Sequence, residues 1–167
     1  IGCKFIDLNF DTLKKNIFIE LKNVIKIIKI IKKINPNIIY SFTLKPNLYS
    51  AIISFFCSYK VINTFDGLGR LYDKKNFFSF LYILILKIFN KNILKIFLVN
   101  KSNYNLFLKK KVINKNRLKL IKAGTGVDIN FYEYSKITNK KNFLFLGRYL
   151  PSKGVIEFCE VAKDLKK

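Results

Sequence analysis

The chain has 167 residues, half of them hydrophobic, which allows roughly one domain of ordinary size with a real core and excludes wholesale disorder. Its formal charge is +22, from 32 Lys+Arg against 10 Asp+Glu, and it contains no His, Met or Trp. The missing His excludes Cys/His zinc sites and every His-based nucleophilic triad, and neither GxSxG nor a P-loop occurs.

Cys3–Leu8 reads as a strand. Residues 14–33 read as a helix, with Lys22, Lys26, Lys29 and Lys33 on one face and Ile17, Leu21, Val24, Ile25, Ile28 and Ile31 on the other. Asn35-Pro36 stops it. Ile38–Ser41 is a short buried strand, and Pro46 sits near the start of a helix that runs to about Cys57. Lys60–Phe65 is a strand, 76–90 a helix, Ile93–Val99 a strand, 101–111 a helix and Leu118–Lys122 a strand.

This alternation predicts an α/β fold: a Rossmann-like, doubly wound parallel sheet with helices on both faces. Residues 129–141 lose all periodicity and read as a connection. A second strand–helix unit then opens, with a buried strand from Asn142 and a helix whose Val155, Phe158, Cys159, Ala162 and Leu165 share one face. The expected domains are therefore 1–128, a connection at 129–141, and the start of another domain at 142–167. Ile1 stands before an expected strand and Lys167 inside an expected helix, as in a piece of a longer protein. The three cysteines, Cys3, Cys57 and Cys159, are expected as buried free thiols. The longest apolar run, Phe77–Leu86, is shorter than the about 20 residues that span a bilayer.

In an open parallel sheet, ligands sit at the carboxyl ends of the strands, and three loops qualify. In Ser41–Pro46, Thr43 and Lys45 face either an anion or nothing more than a capped helix. Asp66-Gly67-Leu68-Gly69 offers two glycines for close backbone approach and a carboxylate to take a proton or hold a sugar hydroxyl. Its plainer reading is a tight turn capped by Asp66. The third loop, Ala123-Gly124-Thr125-Gly126-Val127-Asp128, is either a ligand-facing turn or a bend fixed by the Asp128 side chain. A fourth feature is Gly147-Arg148 followed by Lys153-Gly154-Val155. A helix start exposes backbone N–H groups, and Arg148 before that start with Lys153 inside it gives two cations that suit a diphosphate; otherwise it is a strand–helix junction with two solvated cations.

These pieces, in this order, resemble the family 4 glycosyltransferases of the GT-B fold, closest to bacterial enzymes that build capsule, O-antigen or other glycans on polyprenyl diphosphate. Four stretches carry the resemblance: Asn35-Pro36 through Tyr40-Ser41 to Lys45-Pro46; Asn63-Thr64-Phe65-Asp66-Gly67-Leu68-Gly69; Gly124-Thr125-Gly126-Val127-Asp128; and Phe145-Leu146-Gly147-Arg148 with Lys153-Gly154-Val155. It implies two Rossmann-like domains facing a cleft, the first for the acceptor and the second for a nucleotide-diphosphate sugar. It puts Arg148 and Lys153 on the donor diphosphate and implies a retaining transfer with no metal and no cofactor, these cations and helix termini stabilising the departing diphosphate. Many members carry His just before the first-domain loop glycine, where this chain has Asp66 as its catalytic candidate. The family's E-x7-E motif would lie beyond Lys167, so these residues alone are expected to be inactive.

The implied partners are a nucleotide sugar, a polyprenyl-diphosphate-linked glycan and an anionic membrane surface, at the cytoplasmic face of the plasma membrane. The lysine face of helix 14–33 and the helix 77–89 are candidate membrane contacts, although for 77–89 a core-facing role is preferred. The alternatives are a basic α/β module that binds nucleic acid through phosphates, and a catalytically dead membrane scaffold. Nucleic acid is not expected as the partner, because only Arg70, Arg117 and Arg148 are arginines and the bias toward Lys, Ile, Asn, Phe and Tyr follows A/T-rich codons.

Overall fold

The computed structural model describes residues 2–8, 17–68, 77–122, 126–132, 134, 142–150 and 153–165. The chain divides into two compact units, Ile1–Val127 and Asp128–Lys167.

The first unit holds α1 (Ile17–Ile34), β1 (Ile38–Phe42), α2 (Leu44–Cys57), β2 (Lys60–Phe65), α3 (Phe77–Ile88), β3 (Ile93–Leu98), α4 (Lys101–Lys109), a 3-10 turn at Lys115–Arg117 and β4 (Leu118–Leu120). The four strands form one parallel sheet in chain order, β1-β2-β3-β4. This is the α/β, Rossmann-like architecture that the alternating pattern predicts. The reversal of strand order that makes a sheet doubly wound does not fall within these four strands.

Local chemistry sets the element ends. Asn35 and Ser58 take left-handed φ of 48° and 59°, and so end α1 and α2. The Asn100 side-chain carbonyl caps α4, accepting from Ser102 N at 2.7 Å and Asn103 N at 3.4 Å.

The core lies between the sheet and α2, α3 and α4. Ala51, Tyr82, Leu86 and Phe107 from the helices meet Phe65, Ile93, Ile96, Leu98 and Leu118 from the strands. Phe65 and Phe107 pack edge to face at 5.2 Å between centroids. Each such side chain, fully buried, contributes about 1.5–3 kcal/mol. A register shift opposite Val61/Ile62 makes Leu94 the extra residue of β3. Ile93 and Ile96, three apart, can therefore both enter the same core. On the other face of the sheet, Ile38, Tyr40 and Phe42 of β1 are exposed.

Several expectations fail. Cys3–Leu8 has no strand structure and runs largely exposed, with Leu8 O accepting from Lys26 Nζ at 2.5 Å. Leu21 and Ile25 of the expected apolar face of α1 are exposed. Cys3 and Cys159 are exposed and Cys57 half-buried, so the thiols are free but none is buried.

The second unit contains α5 (Val155–Asp164). Residues 142–146, expected as a buried strand, are not in a ladder, and Phe143, Leu144 and Leu146 are exposed. A strand needs a hydrogen-bonded neighbour, and no other strand is present among the described residues of this unit. Phe145 alone packs, against Phe158 of α5 at 5.5 Å. Cys159, Ala162 and Leu165 of the expected apolar face stay exposed.

Candidate functional site

Parallel pairing in one direction brings the ends of β1, β2, β3 and β4 to one edge of the sheet. The backbone bonds continue past the strands there. Thr43 N donates to Thr64 O at 3.2 Å, Val99 N to Phe65 O at 3.4 Å, and Ile121 N to Leu98 O at 2.8 Å. The loops that begin at Thr43 and Asp66 are therefore neighbours along one edge.

Thr43 stands at the N-cap of α2 with φ 66° and ψ 176°, and its side chain makes no cap bond. A β-branched residue is strained in this region, which glycine almost monopolises. What holds it is a buried polar cluster beneath the loop that sequence reading did not find. The Ser41 hydroxyl lies 2.8 Å from each of Asn47 Oδ1, Asn63 Oδ1 and Ser50 Oγ. Asn47 Nδ2 donates to Thr64 O at 2.8 Å, and Asn63 Nδ2 to Asn47 O at 3.3 Å. Asn47 N also donates to Thr43 O at 3.3 Å. Asn47 and Asn63 have no exposed surface, and among the described residues no buried side-chain N or O lacks a partner. The signal was present: Asn63 interrupts an apolar strand, and Asn47, Ser50 and Ser54 recur at helical spacing. Tyr82 adds a tie from α3, donating to Leu44 O at 2.7 Å. Burial pushes the Tyr82 hydroxyl well above its ordinary pKa, so it stays a donor.

Lys45 is paired. Its Nζ lies 2.6 Å from Glu20 Oε1, and Tyr49 donates to the other Glu20 oxygen, so this cation ties α2 to α1. Asp66 is exposed immediately after β2, and among the described residues nothing hydrogen-bonds its carboxylate. Open space surrounds Gly67, while Leu68 is buried and anchors the far side of the turn. Gly69 and Gly124 lie outside the described residues. Gly126 is exposed with φ +76°. Asp128 Oδ1 accepts from Asn130 N at 2.9 Å, the backbone-fixing bond expected of a bend.

Arg148 and Lys153 belong to the second unit. Two short turns join them: Leu150 N donates to Arg148 O at 2.8 Å, and Lys153 N to Leu150 O at 2.9 Å. Both residues are exposed. Lys153 is not inside the helix as expected. Gly154, with φ 76°, is the N-cap, and α5 begins at Val155. Glu157 adds a carboxylate to that first turn, where it too favours the helix dipole.

Arg117 has a different use. Its Nη1 donates to Asn90 O at 3.1 Å and Ile93 O at 2.9 Å, closing the turn before β3. It sits at the opposite edge of the sheet from Thr43 and Asp66. Among the described residues there is no His/Cys/Asp/Glu group that could hold a metal, and no helix long and apolar enough to cross a membrane.

The chain is 27% identical, over an alignment of 187 positions covering 99% of it, to N,N'-diacetylbacillosaminyl-diphospho-undecaprenol alpha-1,3-N-acetylgalactosaminyltransferase of Campylobacter jejuni subsp. jejuni serotype O:2. It spans 49% of that relative's length. Residues 2–100 match the family model described as glycosyl transferase 4-like, more than half of the sequence. The chain belongs to the glycosyl transferase 4-like family.

Proposed function

We propose that the whole protein is a glycosyltransferase that moves a sugar from a nucleotide-diphosphate donor to a polyprenyl-diphosphate-linked glycan. The observation that carries this reading is the alignment of nearly the entire chain with a transferase named for an undecaprenol-diphosphate-linked acceptor. Residues 1–128 serve the acceptor, 129–141 connect, and 142–167 open the donor-binding domain. The work takes place at the cytoplasmic face of the membrane, where a lipid-linked acceptor presents its glycan.

Each named residue has a task. Arg148 and Lys153 hold the donor diphosphate and offset the charge it gains as it departs, which makes a metal unnecessary. Their exposure, in consecutive turns ahead of α5, supports this role. Asp66 takes or orients the acceptor proton, and Gly67 lets the acceptor approach the backbone. Transfer retains the anomeric configuration. The product glycan would serve capsule, O-antigen or a similar surface polysaccharide.

The test is calorimetry of UDP with the complete protein. Arg148→Ala and Lys153→Ala each remove a charge-assisted contact of about 1.5–3 kcal/mol, so each is expected to weaken UDP by about 10- to 100-fold. Unchanged affinity in both variants removes the diphosphate site.

A further inference from the structure

The helix expected to face the core does so with only one side. α3 (FFSFLYILILKI) offers just two residues that are not apolar or aromatic, Ser79 and Lys87. Ser79, Tyr82 and Leu86 are buried. On the opposite side Phe80 (64% exposed), Leu81, Leu84 and Ile88 (53% exposed) face outward. Residues four apart share a helix face, so Phe80, Leu84 and Ile88 form one stripe, with Leu81 beside it. At the end of the helix, Phe89 stacks with Phe55 and Phe56 of α2, at 5.0 and 5.8 Å between centroids, and Phe56 is itself 68% exposed. A contiguous apolar surface of this kind on a soluble domain marks a place that something covers.

Charge selects what covers it. From Lys74 to Val127 the sequence has no Asp or Glu. Lys87 and Lys91, at and just past the end of α3, are exposed. An apolar stripe beside uncompensated lysines complements a bilayer with anionic headgroups, which takes the rings among its acyl chains and the ammonium groups at its phosphates. At 12 residues the helix is about 18 Å long and lies in the membrane plane rather than across it.

We propose that α3 is the membrane-docking element of this protein, with Phe80, Leu84 and Ile88 entering the interfacial layer of an anionic phospholipid bilayer. The choice of lipid as occupant leans on the lipid-linked acceptor proposed above. Vesicle binding reads no turnover and donor binding reads no lipid, so either proposal can fail alone.

The experiment is sedimentation of the complete protein with vesicles of equal parts phosphatidylglycerol and phosphatidylcholine. The parent binds, and the double variant Phe80→Ser/Leu84→Ser binds at least about ten-fold more weakly, with UDP affinity unchanged. A second variant covers the case in which that protein fails to fold. Phe80→Trp adds an indole to a stretch that has none, and brominated acyl chains quench its emission when the protein is on vesicles. A double variant that binds like the parent overturns the proposal. So does a parent that ignores these vesicles, or an indole at position 80 that bromolipid leaves unquenched; each means that protein covers the stripe.

Discussion

Replacing Asn47 with Asp changes one atom type in a side chain that has no exposed surface, and the consequence depends on pH in a definite direction. Asn47 Nδ2 donates to Thr64 O at 2.8 Å. A protonated Asp can make the same bond; an ionised one turns a negative oxygen toward that carbonyl, while its other oxygen faces the Ser41 hydroxyl. Burial without a cation raises the folded-state pKa of this Asp above its unfolded value of about 3.9. The folded state then binds more protons than the unfolded state, so stability relative to the parent falls as pH rises. The loss begins near pH 4 and grows by up to about 1.4 kcal/mol per pH unit until the folded pKa is reached. Asn47→Ala lacks this behaviour. It deletes two hydrogen bonds, yet Ser41 keeps Asn63 Oδ1 and Thr64 O keeps Thr43 N, so no group is orphaned. Its cost is about 1–3 kcal/mol and flat with pH. Urea midpoints of the parent and both variants between pH 4 and 7 separate the cases. An Asn47→Asp deficit that does not change with pH would mean that water reaches the cluster, and the reasoning would fail.

Thr43→Gly is expected to stabilise the first unit by about 1 kcal/mol, because glycine relieves the positive φ and the hydroxyl makes no cap bond; a lower urea midpoint would show that the threonine methyl packs usefully. Asp66→Asn is expected to lower turnover more than it weakens UDP binding, and equal turnover in the two forms would reduce Asp66 to a turn residue. Glu20→Gln should cost under about 1 kcal/mol, since Lys45 is half exposed and solvent screens the pair, and thermal unfolding at low and high salt checks that limit.

The sheet was legible because its strands carry short apolar stretches closed by turn or helix signals, and tertiary packing agreed with the local pattern. Ile93–Leu98 is an example: its apolar residues announce a strand whatever surrounds it. Residues 142–146 carry a similar pattern, yet form no ladder, because pairing depends on a neighbour that periodicity does not specify. The loops at the strand ends were legible from Gly, Asp and Pro. The polar cluster beneath them was not. Ser41, Asn47, Ser50 and Asn63 come from three elements: helical spacing joins Asn47 to Ser50, but no local pattern joins Ser41 to Asn63, 22 positions away. The outward stripe of α3 was hidden for the opposite reason: an all-apolar helix carries no periodicity to tell its inner side from its outer one.

The cations sort by what they touch, and that sorting separates function from composition. Arg117 is spent on backbone carbonyls at the far edge of the sheet, and Lys45 on Glu20, so neither tells anything about a ligand. Both would nevertheless count toward +22 in any reading that inferred nucleic acid from charge. A phosphate-tracking surface requires cations committed to no other partner along a continuous path. Arg148 and Lys153 instead occur as a pair joined through one residue's backbone, and the diphosphate contact proposed for them needs two local cations rather than a continuous track. Affinity for a long polyanion would rise with each added lysine wherever it lay. Affinity for UDP should depend on these two side chains and tolerate neutralisation of Lys22 or Lys29 on α1. Measuring UDP binding after Lys22→Gln/Lys29→Gln distinguishes the two: loss comparable to Arg148→Ala would mean that diffuse charge, and not a built contact, is what the nucleotide feels.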